Sequence, residues 1–178
     1  MNYMLDACAL LALIDKEPGM LVVKDVLAQA AEGKARVYMG IVNFTEVYYD
    51  RLKLKQPARI EAFLAYIAAA PITIIGTISQ DMAFEAGRIK VSHKMSLADS
   101  FLLAAATVYA ATVVTSDYGE MEAVEHNMPI PFLWIRPKPE PMPGKERVNL
   151  QTIIAERDQA RAALAAANRR IAELEAQN

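Results

Sequence analysis

Asp6, Glu46, Asp99 and Asp117 each stand where an apolar run ends or a helical pattern begins. Ionised carboxylates are acceptors only, and several brought together form a site for a hard divalent cation. Each also has a local role open to it. Asp6 could cap the helix that follows by accepting a first-turn N–H. Asn43-Phe44-Thr45-Glu46 and Ser96-Leu97-Ala98-Asp99 both approximate capping boxes, in which the acid three residues on reaches back to the cap's N–H. The shorter Asp99 reaches back poorly, so that role suits Glu46 better. Asp117, with Tyr118-Gly119 behind it, fits an Asx turn.

Taken jointly, the four need more than caps. Two carboxylates about 4 Å apart repel by about 4 kcal/mol at an effective dielectric of about 20. A helix N-terminus offsets only about 0.5–1 kcal/mol. A bound cation offers enough, and all-oxygen ligands select Mg2+ or Mn2+. Zinc is disfavoured, because His93, His126 and Cys8 have no ligand spacing. Glu120 and Glu122 could each reach the site from the turn after Asp117. Asp15, Glu17, Asp25, Glu32, Asp50, Glu61, Asp81 and Glu85 read as solvated helix faces, and Glu125 as surface.

The order of elements would gather such a cluster. In residues 1–136, Tyr3-Met4-Leu5, Val37-Tyr38-Met39, Ile72-Thr73-Ile74-Ile75, Thr112-Val113-Val114-Thr115 and 132–135 read as strands. Helices are expected over 7–15, 20–31, 44–55, 57–68, 79–91 and 97–109, with a short one near 120–125. Strands apolar on both faces and separated by helices imply an α/β fold, a parallel sheet between two helical layers. Such sheets bind ligands at the carboxyl ends of their strands. Asp6 and Asp117 follow two of those ends.

Hydrophobic residues are 54% of the 178 and charged ones 22%, enough to fill a core. A net charge of −2 argues against a protein that coats nucleic acid with basic surface, but a nuclease needs only a local basic rim. Arg51, Lys53, Lys55 and Arg59 after Glu46, and Arg88, Lys90 and Lys94 before Asp99, could contact phosphates. A solvated helix face explains each equally well. The single Cys8 forms no intrachain disulfide and suits a reducing cytosol, so a cytoplasmic location is expected. Residues 7–14 follow an acid and no Lys or Arg, unlike a signal peptide. The uncharged runs 62–80 and 100–116 are broken or too short to span a bilayer.

Composition changes after Ile135. Pro137, Pro139, Pro141 and Pro143 make 137–148 an extended linker. In 149–178, Leu150, Ile153, Arg157, Ala160, Leu164, Ala167, Ile171 and Leu174 alternate three and four apart, a heptad-like seam interrupted by Arg157. It reads as the packing surface of a C-terminal helix, whether for its own domain, a second copy or another partner.

Met4-Leu5-Asp6-Ala7-Cys8, Asn43-Phe44-Thr45-Glu46-Val47, Leu97-Ala98-Asp99-Ser100 and Val114-Thr115-Ser116-Asp117 resemble, in order and spacing, the four motifs of PIN-domain nucleases. The resemblance covers about 1–136 and is closest to VapC-type toxins of toxin–antitoxin modules. It implies a three-layer α/β/α domain and a ribonuclease in which Asp6, Glu46, Asp99 and Asp117 hold Mg2+ or Mn2+. A water activated there would attack the phosphodiester in line, leaving a 5′-phosphate and a 3′-hydroxyl. Thr115 or Ser116 could orient that water or a ligand. RNA as substrate, an antitoxin partner and a homodimer are implied as well. The chain departs from the family at Cys8, where Ser is commoner, at Tyr118-Gly119-Glu120, and in everything after Ile135. Three other readings compete: a housekeeping RNA-processing nuclease, a non-catalytic scaffold acting through its C-terminal helix, and a phosphatase. The last would want a second acid at Cys8.

Overall fold

A computed structural model of the chain describes residues 1–139 and, further on, Arg157 and Gln159, both helical and exposed. The rest of the expected linker and of the heptad seam lies outside the described residues. The chain divides into two compact units, Met1–Lys138 and Pro139–Asn178.

The first unit runs β1 (Asn2–Leu5), α1 (Ala7–Ile14), α2 (Met20–Ala31), β2 (Arg36–Gly40), α3 (Ile41–Lys53), α4 (Pro57–Ala69), β3 (Thr73–Ile75), α5 (Gln80–Ser92), α6 (Leu97–Val108), β4 (Thr112–Thr115), α7 (Tyr118–Glu125) and β5 (Phe132–Trp134). All five strands pair in parallel, in the order β3-β2-β1-β4-β5. Tyr3 of the central strand lies opposite Val37 on one side and Thr112 on the other.

Successive strand residues face opposite ways, and two cores result. Tyr3, Leu5, Val37, Met39 and Val114 pack with α1 and α2, joined by Val47 of α3 and Phe63 of α4. Met4 and Val113 pack with α5, α6 and α7. The chain winds outward from β1 through β2 to β3, then returns across β1 to build β4 and β5. The carboxyl ends of β1 and β4 therefore flank the point where the winding reverses, where a crevice opens in sheets of this kind.

One local expectation fails. α3 starts at Ile41 rather than residue 44, directly from Gly40, whose extended backbone provides no side-chain cap. Gly40 still pairs with Ile75 in the sheet, so no turn is left for a cap. Asn43 is thus the helix's third residue, and the capping box expected of Asn43 and Glu46 does not form.

The same helix corrects one residue expected on a solvated face or against phosphate, Arg51. Asn43, Val47 and Arg51, spaced four apart, are its buried stripe. Arg51 donates to both oxygens of Asp15 at 2.6 and 2.7 Å and to Asp50 at 2.7 Å. The pair clamps α3 to the end of α1, and Arg51 is occupied with it.

Candidate carboxylate centre

Asp6 directly follows β1, and its N–H still bonds to the Val114 carbonyl at 3.1 Å. The sheet therefore carries the acid into the interior, where it is only 5% exposed. Its Oδ1 accepts the Ala7 N–H at 2.6 Å, which is the helix cap. Its Oδ2 accepts from the Thr115 hydroxyl at 2.6 Å and from the Cys8 thiol at 3.0 Å. Cys8 thus keeps the polar contact that a serine would make.

Thr115 ends β4, fully buried, and its hydroxyl oxygen accepts the Asp117 N–H at 3.0 Å. Asp117 Oδ1 in turn accepts the Gly119 N–H at 2.9 Å, the expected Asx turn, at the start of α7. Asp99 sits in the first turn of α6, whose cap Ser96 accepts the Asp99 N–H at 3.0 Å. The Ser96 hydroxyl donates back to the Asp99 carboxyl. The Ser96 N–H, which a full capping box would give to the third residue, goes instead to Glu120. Both Glu120 and Asp99 thus bond to Ser96, which brings the two carboxyls together. Of the two acids left open by the sequence, Glu120 joins the centre, while Glu122 pairs with Lys138. Glu46 lies on α3 with Asn43 donating to its Oε2 at 3.4 Å.

The acids feel one another. Burial raises the Asp6 carboxyl above its ordinary range, and the charge of Asp117 adds to it, against hydrogen bonds from Cys8, Thr115 and Ala7. Glu46 is raised by burial and then by the charge of Asp6. Asp99 is pushed up to about 7, first by burial, then by Glu120, with Asp6 contributing. Glu120 is held down, first by its hydrogen bond with Asp99, then by the Ser96 N–H, with Lys90 helping. Of the two, Asp99 is therefore the group that holds a proton more readily. Burial and the neighbouring charge of Asp6 push the Cys8 thiol up to about 12, so it is a neutral donor and no nucleophile.

Asp6 is the hub: it senses Asp117, and both Glu46 and Asp99 sense it. Among the described residues, no group of three or more His, Cys, Asp or Glu side chains is placed to hold a metal ion. The four acids nonetheless offer oxygen donors alone, which fits a hard cation. Mg2+ in particular keeps several waters and takes only one or two carboxylates directly.

The model of the PIN domain family matches residues 3–126. The chain belongs to the PIN domain family. PIN domains are nucleases, hence hydrolases. No curated protein matches the chain in sequence. Solved structures do match it in fold. A toxin–antitoxin complex from Klebsiella pneumoniae shares 20% identity at a TM-score of 0.53, over 75% of this chain and 98% of that one. VapBC2 from Rickettsia felis, bound to a DNA fragment from its promoter, shares 18% at 0.60, over 75% and 98%. DNA-bound VapBC from Salmonella typhimurium shares 17% at 0.58, over 76% and 99%. The three-layer arrangement expected from the sequence is thus that of a PIN domain. Among the described residues, no helix is long and apolar enough to cross a membrane.

Proposed function

We propose that this PIN domain is a Mg2+- or Mn2+-dependent endoribonuclease and the toxin of a toxin–antitoxin pair. The observation that carries this is Asp6, buried at the reversal of the sheet and tied through the Thr115 hydroxyl to the Asp117 turn, its charge raising Glu46 and Asp99. Asp6, Glu46, Asp99 and Asp117 would hold the ion, with Glu120 beside Asp99. The ion would supply a water acidic enough to attack a phosphodiester at neutral pH.

The chain's own groups do the rest. Thr115 and Cys8 fix the rotamer of Asp6, and Ser96 fixes that of Asp99. A cation held there would favour the ionised form of Asp99, which burial and Glu120 disfavour in its absence. No histidine is engaged at the centre: His93 follows α5 and His126 follows α7.

The likeness to VapBC complexes supports an antitoxin partner. A groove of about 600 Å³ lies between α1, α2, α3 and α4, lined by Leu13, Met20, Phe63 and Tyr66 and by Lys16, Lys24 and Arg59, with Asp15 held by Arg51. It suits an apolar helix carrying acidic residues. A second copy would cover Phe84 and Val91 of α5 and Leu97 at the start of α6, all more than half exposed.

Calorimetric titration of the metal-free full chain with Mn2+ tests the centre, and RNA cleavage by the same preparation tests the reaction. Asp99→Asn is expected to weaken Mn2+ binding at least tenfold and abolish cleavage without loss of fold. Unaltered Mn2+ affinity in that variant would remove Asp99 from the site.

A further inference from the structure

Arg136, just past β5, is held more firmly than a surface cation requires. Its Nη2 donates to the Ser116 hydroxyl at 2.9 Å, and its Nη1 stands 3.7 Å from Glu17. Its carbonyl accepts the Tyr118 hydroxyl at 2.9 Å, and the Tyr118 ring stacks on Trp134 with centroids 4.0 Å apart. On the preceding residue, the Ile135 N–H bonds to the Thr115 carbonyl at 3.0 Å. The loop between α1 and α2 closes on the same point. Gly19 has φ +96°, and a Cβ there would meet the Ile135 carbonyl at 2.7 Å. Only glycine allows that approach, and it holds Glu17 beside Arg136.

The link to the carboxylates is short. Ser116 donates its N–H to Cys8 Sγ at 3.2 Å, and Cys8 bonds to Asp6. The pair with Glu17 is loose, with the two side chains 35% and 47% exposed. An exposed pair at that distance is weak and easily exchanged. An acidic centre repels a polyanion, so its substrate needs a cation fixed at the rim. A guanidinium fork matches phosphate oxygens in a way that an ammonium does not.

We infer that Arg136 grips a phosphate of the RNA backbone next to the scissile one, and that this phosphate displaces Glu17. The inference rests on the nuclease reading above. Arg136 is a positioning residue in this scheme, set by Ser116 and Tyr118, and Glu17 keeps the site closed to weaker anions.

The test is binding of a labelled single-stranded RNA oligonucleotide to the full chain carrying Asp99→Asn, which spares the RNA, across a range of salt. Adding Arg136→Gln is expected to weaken binding about tenfold and to flatten the log–log salt dependence by roughly 0.7, one phosphate contact on a single strand. Arg136→Lys keeps the salt dependence and loses part of the affinity. Glu17→Gln strengthens binding. With Asp99 intact, the cost of Arg136→Gln falls on KM more than on kcat. The inference is overturned if Arg136→Gln and Glu17→Gln shift affinity the same way. It is equally overturned if Arg136→Gln lowers the melting temperature while the salt dependence stays put, since Arg136 would then be a strap between loop and strand. A parent chain that still cuts RNA under either outcome leaves the nuclease reading standing; one that neither binds nor cuts RNA overturns both.

Discussion

The Thr115 hydroxyl donates to Asp6 Oδ2 at 2.6 Å while accepting the Asp117 N–H at 3.0 Å. One buried hydroxyl thus locks the acid after β1 to the turn after β4, across the two strands that flank the reversal of the sheet. Thr115→Val keeps the shape and removes both bonds. It is expected to cost about 1–3 kcal/mol by leaving the Asp6 oxygen and the Asp117 N–H underserved, read from the denaturant midpoint. RNA cleavage should fall at least tenfold, and Thr115→Ser should recover most of it.

Cys8 is expected to resist alkylation. With its thiol pushed up to about 12 and donating to Asp6, almost no thiolate exists at pH 8. Iodoacetamide labelling of the folded chain, followed by mass spectrometry, should be far slower than after denaturation. Cys8→Ser retains the donor and should keep cleavage, whereas Cys8→Ala should lower it.

Arg51 is a structural residue, 7% exposed and forked onto Asp15. Arg51→Met leaves Asp15 and Asp50 unpaired, each only partly in water, at a cost of about 2 kcal/mol. Arg51→Lys should recover less than half, because an ammonium cannot make the bidentate contact. Urea unfolding reads both. RNA affinity at matched folded fraction should not change, which separates Arg51 from the phosphate contacts its position in the sequence suggested.

Without metal, stability should fall as pH rises from about 4 to about 7. Asp99 titrates near 7 in the folded chain against an ordinary 3.8, so the folded state holds a proton that the unfolded state has released. Its contribution is full at the low end of that window and is lost through pH 7. Glu120, held down, acts the other way but only below its ordinary 4.5. Melting temperatures in EDTA should therefore decline over that range, and Asp99→Asn should flatten the decline. Mg2+ should restore stability most at the upper end, where it replaces the proton.

The layer order was legible in the sequence because both faces of each central strand are apolar and the helices between them are long. Helix starts with a polar cap, Asp6 and Ser96, were legible too. The start of α3 was not, because Gly40 passes from sheet to helix with no capping turn. Glu120 carried only a weak signal, its place in the turn after Asp117, and its bond to the Ser96 N–H depends on α7 folding back toward α6. Arg51 did carry one that was missed: it falls four residues after buried Val47 on a single helix stripe. Arg136 gave none, since what holds it comes from three remote segments, at Glu17, Ser116 and Tyr118.

The most direct test is RNA cleavage by the purified full chain, first with Mg2+, then in excess EDTA, then with Mg2+ resupplied. The expected result is cleavage, none, and cleavage again, with Asp6→Asn inactive throughout at equal folded amount. Cleavage that persists in EDTA, or an Asp6→Asn chain as active as the parent, would contradict a metal held by these carboxylates.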